Sequence, residues 1–148
     1  MSKADLYERD FYAWLMQNAA LIREGRLSEI DCENLVEELE SMGRSERHEL
    51  TDRLAVLLAH LLKWQYQPAR RGNSWRATIK EQRRRVLRRL TASPSLKHNI
   101  QDTLAEAYED AVLLAVGETG LDETVFLSTC PFTLEQVLDT GFWPDTVI

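Results

Sequence analysis

Apolar positions recur with the helical period along the whole chain, and no segment alternates with the two-residue period of a strand. Tyr7, Phe11, Trp14, Leu15, Leu21 and Ile22 mark one face of a first helix over about residues 5–24. Asp5 and Glu8 have the spacing of a capping box, and Gly25 is placed to close the helix in the left-handed conformation. A second stripe starts after Ser28 and Asp31, another box pair. It runs through Leu35, Leu39 and Met42, then Leu50, Leu54, Leu57, Leu61 and Trp64. Gly43 interrupts it, but a helical glycine costs only about 1 kcal/mol relative to alanine. We therefore expect one long helix ending before Pro68, with Gly43 as the place for any bend.

The segment Gln67–Asn73 reads as a turn punctuated by Pro68 and Gly72, after which Ser74 is placed to cap a third helix. Trp75, Ile79, Val86, Leu87 and Leu90 form its apolar side, and it stops near Ala92. Ser93 with Pro94 opens a fourth helix, carried by Leu96, Ile100, Leu104, Ala107, Ala111 and Leu114 to about Gly117–Gly120. Cys130-Pro131 marks a turn, Thr133 and Gln136 box a short terminal helix, and Phe142, Trp143 and Pro144 are expected to fold back onto the body. The pattern predicts an all-α fold: a compact bundle of about five helices plus a short C-terminal one, with residues 1–148 forming a single domain.

Composition narrows the class. An apolar fraction of 44% across 148 residues supports one core and excludes a disordered chain. The most apolar run, Leu54–Leu62, is too short for a membrane span, which needs about twenty residues. The N-terminal residues carry no signal pattern, and Cys32 and Cys130 make no disulfide framework. These features lead us to expect a cytoplasmic protein with no membrane partner.

Charge is distributed unevenly. Residues 70–89 hold nine Lys or Arg and one acid, Glu81, for a charge of +8; the rest of the chain carries −14, and the two recover the net −6.

The middle of the chain carries a recognisable pattern: Asn34-Leu-Val-Glu-Glu-Leu-Glu-Ser-Met-Gly43, His60-Leu-Leu-Lys-Trp-Gln-Tyr-Gln-Pro68, Arg71, Ser74-Trp-Arg76, Thr78-Ile79, Gln82-Arg83 and Pro94-Ser-Leu96. Further on stand Tyr108, Glu118-Thr-Gly-Leu121, Cys130-Pro131 and Phe142-Trp-Pro144. It resembles the bacterial family catalogued as domain of unknown function 29, over nearly the whole chain. Leu127 stands where the family pattern has a proline. The resemblance implies an all-helical domain and brings no catalytic residues, cofactor or substrate.

Candidate chemistry must then come from the residues. Glu38, Glu49 and His60 are spaced by eleven, close to three turns, so they share one edge of the long apolar stripe, with Arg53 nearby. We read them as satisfied structural groups. The competing reading is a metal-assisted hydrolase of a phosphate-containing substrate, with Glu38 (or Glu37) and His60 catalytic and Arg71 and Arg76 clamping the phosphate. A continuous helix would hold Glu38 and His60 about 33 Å apart. His48, His60 and His98 are scattered, and no pair supplies two ligands at one helical turn. No metal and no cofactor are expected.

In the basic helix, a buried face centred on Ile79 takes Arg76 and Arg83 with it, while Arg84, Arg85 and Arg88 point to water. A buried arginine needs compensation, so Arg83 is expected to pair with Glu38 and Glu49 in an internal seam. The outer arginines are either a solvated face or a contact surface. With Arg71, Trp75 and Arg76 they would receive an acidic protein or the acidic face of a second copy. Nucleic acid is a further reading, with Trp75 and Tyr66 as stacking groups, but the acidity of the remainder opposes a long polyanion. Glu33, Glu37 and Glu40 read as a solvated face, and Cys130 as a buried thiol rather than a nucleophile. There is no phosphate-binding glycine loop and no GxSxG elbow. The functional expectation is a binding or adaptor module that uses its arginine-rich helix against an acidic partner.

Overall fold

The computed structural model describes residues 3–147, which are all-helical and contain no strand. Six α-helices follow in order: α1 (Lys3–Arg9), α2 (Phe11–Arg23), α3 (Cys32–Tyr66), α4 (Asn73–Ala92), α5 (Ile100–Thr119) and α6 (Leu134–Leu138). Short 3₁₀ turns lie at Leu27–Glu29, Pro68–Arg70, Pro94–Lys97 and Glu123–Val125. No helix among the described residues is long and apolar enough to cross a membrane. The chain forms two compact units, one ending at Glu46 and one starting at Arg47, with α3 running unbroken through both.

In the N-terminal unit the expected first helix is broken in two. Asp10 leaves helical geometry and its carboxylate accepts the Ala13 amide at 3.0 Å, capping α2. Asp5 is therefore not a cap; it lies inside the first turn of α1, which is already under way at Lys3. The end of α2 is as expected. Gly25 adopts φ +74°, its amide reaches Ile22 at 3.0 Å, and the Arg26 amide reaches Leu21 at 2.9 Å, the two bonds of a Schellman closure. The next helix starts at Cys32 rather than near Ser28, because Ser28 lies within a 3₁₀ turn. Asp31 instead accepts from the Asn34 amide and side chain, and takes the Trp14 indole N–H at 2.9 Å. Trp14, Asn18 and Asp31 are the fully buried residues of this unit among those described. The expected Leu35–Leu39–Met42 stripe is not covered: Leu39 and Met42 are about two-thirds exposed.

The second unit has a full core. Leu50, Leu54, Leu57, Leu58 and Leu61 of α3 meet Ile79, Val86 and Leu90 of α4, and Leu104, Ala107, Ala111 and Ala115 of α5. The alanines stand at intervals of four, which lets α5 approach closely. Ile79, Val86 and Leu90 face inward as expected, whereas Leu87 lies on the outer side and is 40% exposed. Gly72, not Ser74, is the N-cap of α4. Pro94 opens only a 3₁₀ turn, and α5 starts later, after Asn99 takes a left-handed conformation at φ 58°. Thr133 and Gln136 form the complete capping box of α6. The C-terminal residues do fold back: Trp143 packs 4.6 Å from Trp64, and Pro144 is buried.

Candidate functional site

The His60-Leu-Leu-Lys-Trp64 and Ser74-Trp-Arg76 segments stand on either side of the turn joining α3 to α4, and together they build a cluster of cations on aromatic rings. The Arg71 and Arg76 guanidinium groups lie 5.0 Å and 5.2 Å from the centroid of Trp64, and Lys63 Nζ lies 5.1 Å from that of Trp75. Contacts of this kind contribute about 0.5–2 kcal/mol each. Arg71 also donates from Nε to the Trp64 carbonyl at 2.7 Å and from Nη2 to Thr146 Oγ1 at 2.9 Å, so it ties the turn to the C-terminal segment. The two arginines proposed as a phosphate clamp do converge, but on an indole face, and Arg71 has already committed donors to protein oxygens.

His60 sits beside this cluster. Its Nδ1 lies 2.9 Å from the Val56 carbonyl, so that nitrogen carries the proton and donates. Nε2 is left as the acceptor, 3.4 Å from Lys63 Nζ. Lys63 is buried and bonded to Glu118. Burial lowers the His60 pKa first, the bond to Val56 opposes this, the Lys63 ammonium lowers it further, and Glu118 raises it. Glu38 takes no part: it accepts the phenol of Tyr7, and that bond is the main reason the Tyr7 pKa is pushed up to about 12. Glu38 belongs to the first unit and His60 to the second. Glu38, His60 and Arg76, the residues of the hydrolase reading, therefore have separate partners. Among the described residues no group of three or more His, Cys, Asp or Glu is placed to share a metal ion.

Arg83 is buried, 1% exposed, yet it makes no ion pair with Glu38 or Glu49. Its Nε donates to the Val137 carbonyl at 2.8 Å and its Nη2 to the Phe142 carbonyl at 2.7 Å, with a longer bond to Gln136. The physical reason lies in α6. A five-residue helix leaves its last carbonyls without partners, and its C-terminal end carries partial negative charge. Arg83 satisfies those oxygens, and its Nη1 is left without a partner. Desolvation lowers the Arg83 pKa, and nearby Asp139 opposes the shift. Glu49 does bridge α3 to α4, but through Arg89 at 3.5 Å, alongside Arg53 at 2.9 Å on its own helix. Arg53 is the first cause of the lowered Glu49 pKa.

The outer face of α4 is different in kind. Ala77, Lys80, Arg84, Leu87 and Thr91 follow one another at intervals of three and four, so they form one stripe. Arg85 is tied to Glu81 at 2.7 Å and Arg89 to Glu49. Lys80, Arg84 and Arg88 are exposed and, among the described residues, have no carboxylate partner. Two shallow depressions meet at Leu87. One, of about 500 Å³, lies between Lys80, Glu81, Arg84 and Thr140; the other, of about 350 Å³, lies between Leu90, Lys97, Leu134, Glu135 and Leu138. Sequence periodicity put Leu87 with the core, so this groove could not be read from it; Leu134 and Leu138, supplied by α6, form its far wall.

The remaining candidates are quiet. Trp75 and Tyr66 are partly buried against the core, Tyr66 with its ring 4.9 Å from Phe126, so neither offers a free stacking face. Cys130 directs Sγ toward the Phe132 carbonyl, and burial raises its thiol pKa, which leaves it a poor nucleophile. Glu33, Glu37 and Glu40 are exposed, with Glu37 3.1 Å from Arg44.

The family described as Domain of unknown function DUF29 matches residues 6–143, and the chain belongs to it. No curated protein and no solved structure matches it.

Proposed function

We propose that this chain is a binding module whose α4 stripe receives an acidic amphipathic helix from a partner protein. The observation that carries the reading is Leu87, a large apolar side chain 40% exposed between two depressions and flanked by Lys80, Arg84 and Arg88, which form no ion pair among the described residues, although Glu81 and Glu135 also line the depressions. An apolar anchor would enter beside Leu87 while carboxylates on the flanks of the incoming helix meet Lys80, Arg84 and Arg88. Charge complementarity selects the occupant, since the stripe belongs to a segment of +8 in a chain of net −6. The distributed partners of Glu38, His60 and Arg76 support a non-catalytic role over a hydrolase.

The test is fluorescence polarisation with a labelled acidic amphipathic helical peptide bearing leucines three and four residues apart. Binding should weaken at least about 30-fold in the Arg84→Glu/Arg88→Glu variant, with the melting temperature nearly unchanged, because neither side chain is buried. Equal affinity for wild type and variant would overturn the reading. So would tighter binding of a short DNA duplex than of the peptide, which would make the stripe a phosphate-contacting surface.

A further inference from the structure

We infer that the N-terminal unit associates with a second copy of itself through the bare faces of α2 and α3. From Phe11 to Ile22 the chain carries no Asp, Glu, Lys or Arg in twelve consecutive residues, yet most of that helix is uncovered. Trp14, Asn18 and Leu21 form its inner side. Phe11, Leu15, Ala19 and Ile22, spaced by four, four and three, form a separate outer stripe and are all exposed. On α3, Leu39 and Met42 continue the register that Leu50, Leu54 and Leu57 use for the core of the other unit, but here nothing covers them. Glu33, Glu37, Glu40 and Arg44 cluster on another face of this part of α3, whereas Glu46 stands on the Leu39–Met42 face, one turn beyond Met42.

A unit of this size with Trp14 as its fully buried apolar residue has too little core to be stable without further burial. A second copy suits the surface because a charge-free stripe does not repel its own image, and the small Ala19 lets two helices approach. The area is also sufficient. At ~200 Å² per large side chain, Phe11, Leu15, Ile22, Tyr12 and Met16 leave about 510 Å² bare per copy, and Leu39 and Met42 of α3 bring this to about 770 Å². A standard specific interface takes about 800 Å² from each partner.

The experiment is analytical ultracentrifugation of the full chain across the micromolar range, with far-UV circular dichroism as a control for folding. The wild type should sediment as a dimer. Leu15→Glu and Met42→Glu should each raise the dissociation constant at least about 100-fold while helicity is unchanged, because each would place an unpaired charge in an apolar contact. If Leu15→Glu loses helicity, Met42→Glu decides alone, since Met42 is 64% exposed and its replacement removes no buried contact. A monomer at every concentration, or a dimer that Met42→Glu leaves intact, overturns the inference.

Discussion

Arg83 holds its guanidinium 5.6 Å from the ring centroid of Trp143 while donating to the carbonyl of the neighbouring Phe142 at 2.7 Å. One buried cation thus fastens the C-terminal segment to α4, and its direct partners are carbonyl oxygens and an indole face, with the carboxylate of Asp139 acting only from nearby.

Replacing Arg83 with Met should cost about 2–4 kcal/mol in urea unfolding. The replacement fills the space but strands the carbonyls of Val137 and Phe142. Amide exchange in residues 133–143 should quicken more than in α5. A loss near zero would mean that water reaches those oxygens.

The Lys63–Glu118 pair should respond asymmetrically. The Lys63 side chain is 7% exposed and that of Glu118 51%. Glu118→Ala leaves a buried ammonium with only His60 and the Trp75 ring, and should cost about 1–3 kcal/mol. Lys63→Met leaves a carboxylate that rehydrates, and should cost less than about 1 kcal/mol. Equal losses measured by chemical denaturation would contradict this geometry.

His60 predicts a pH dependence with a definite sign. Its pKa is lowered in the folded state from 6.5, so the unfolded chain binds the proton more readily. The stability tied to this group is fully present above pH 6.5 and is lost progressively as pH falls through the lowered folded value. Thermal melts from pH 8 down to pH 5 should therefore decline more steeply for the wild type than for His60→Gln. Parallel curves would show that His60 protonates freely in the folded protein.

Two glycines should respond in opposite directions. Gly43 lies within α3 with open space where a Cβ would stand, so Gly43→Ala should stabilise by roughly 0.5–1 kcal/mol. Gly120 ends α5 at φ +74°, so Gly120→Ala should cost about 1 kcal/mol. Thermal denaturation followed by circular dichroism measures both.

Local signals were legible wherever the answer depended on neighbours in sequence. The Gly25 closure, the Thr133–Gln136 box, the continuity of α3 through Gly43 and the inward turn of Ile79, Val86 and Leu90 follow from spacing within one helix, whereas Leu87 and Arg76, expected on the same inner side, are exposed. The misplaced helix starts share one pattern. Asp10, Asp31, Gly72 and Asn99 each stand a few positions from the residue that the local spacing favoured, and at Asp31 long-range contacts made the choice. Asp31 is held by Trp14 and Asn18.

The linear pattern settled that the chain is helical, which residues could be buried, and that its positive charge gathers on one helix, because helical period and composition are properties of adjacent residues. It left open which apolar faces find a partner. Leu54 and Leu39 have the same character in one continuous stripe, yet one is sealed and the other bare. It also left open what compensates a buried charge. Arg83 met the carbonyls at the end of α6, about fifty residues on, instead of a glutamate, because backbone oxygens freed by a short helix have no signature in side-chain sequence.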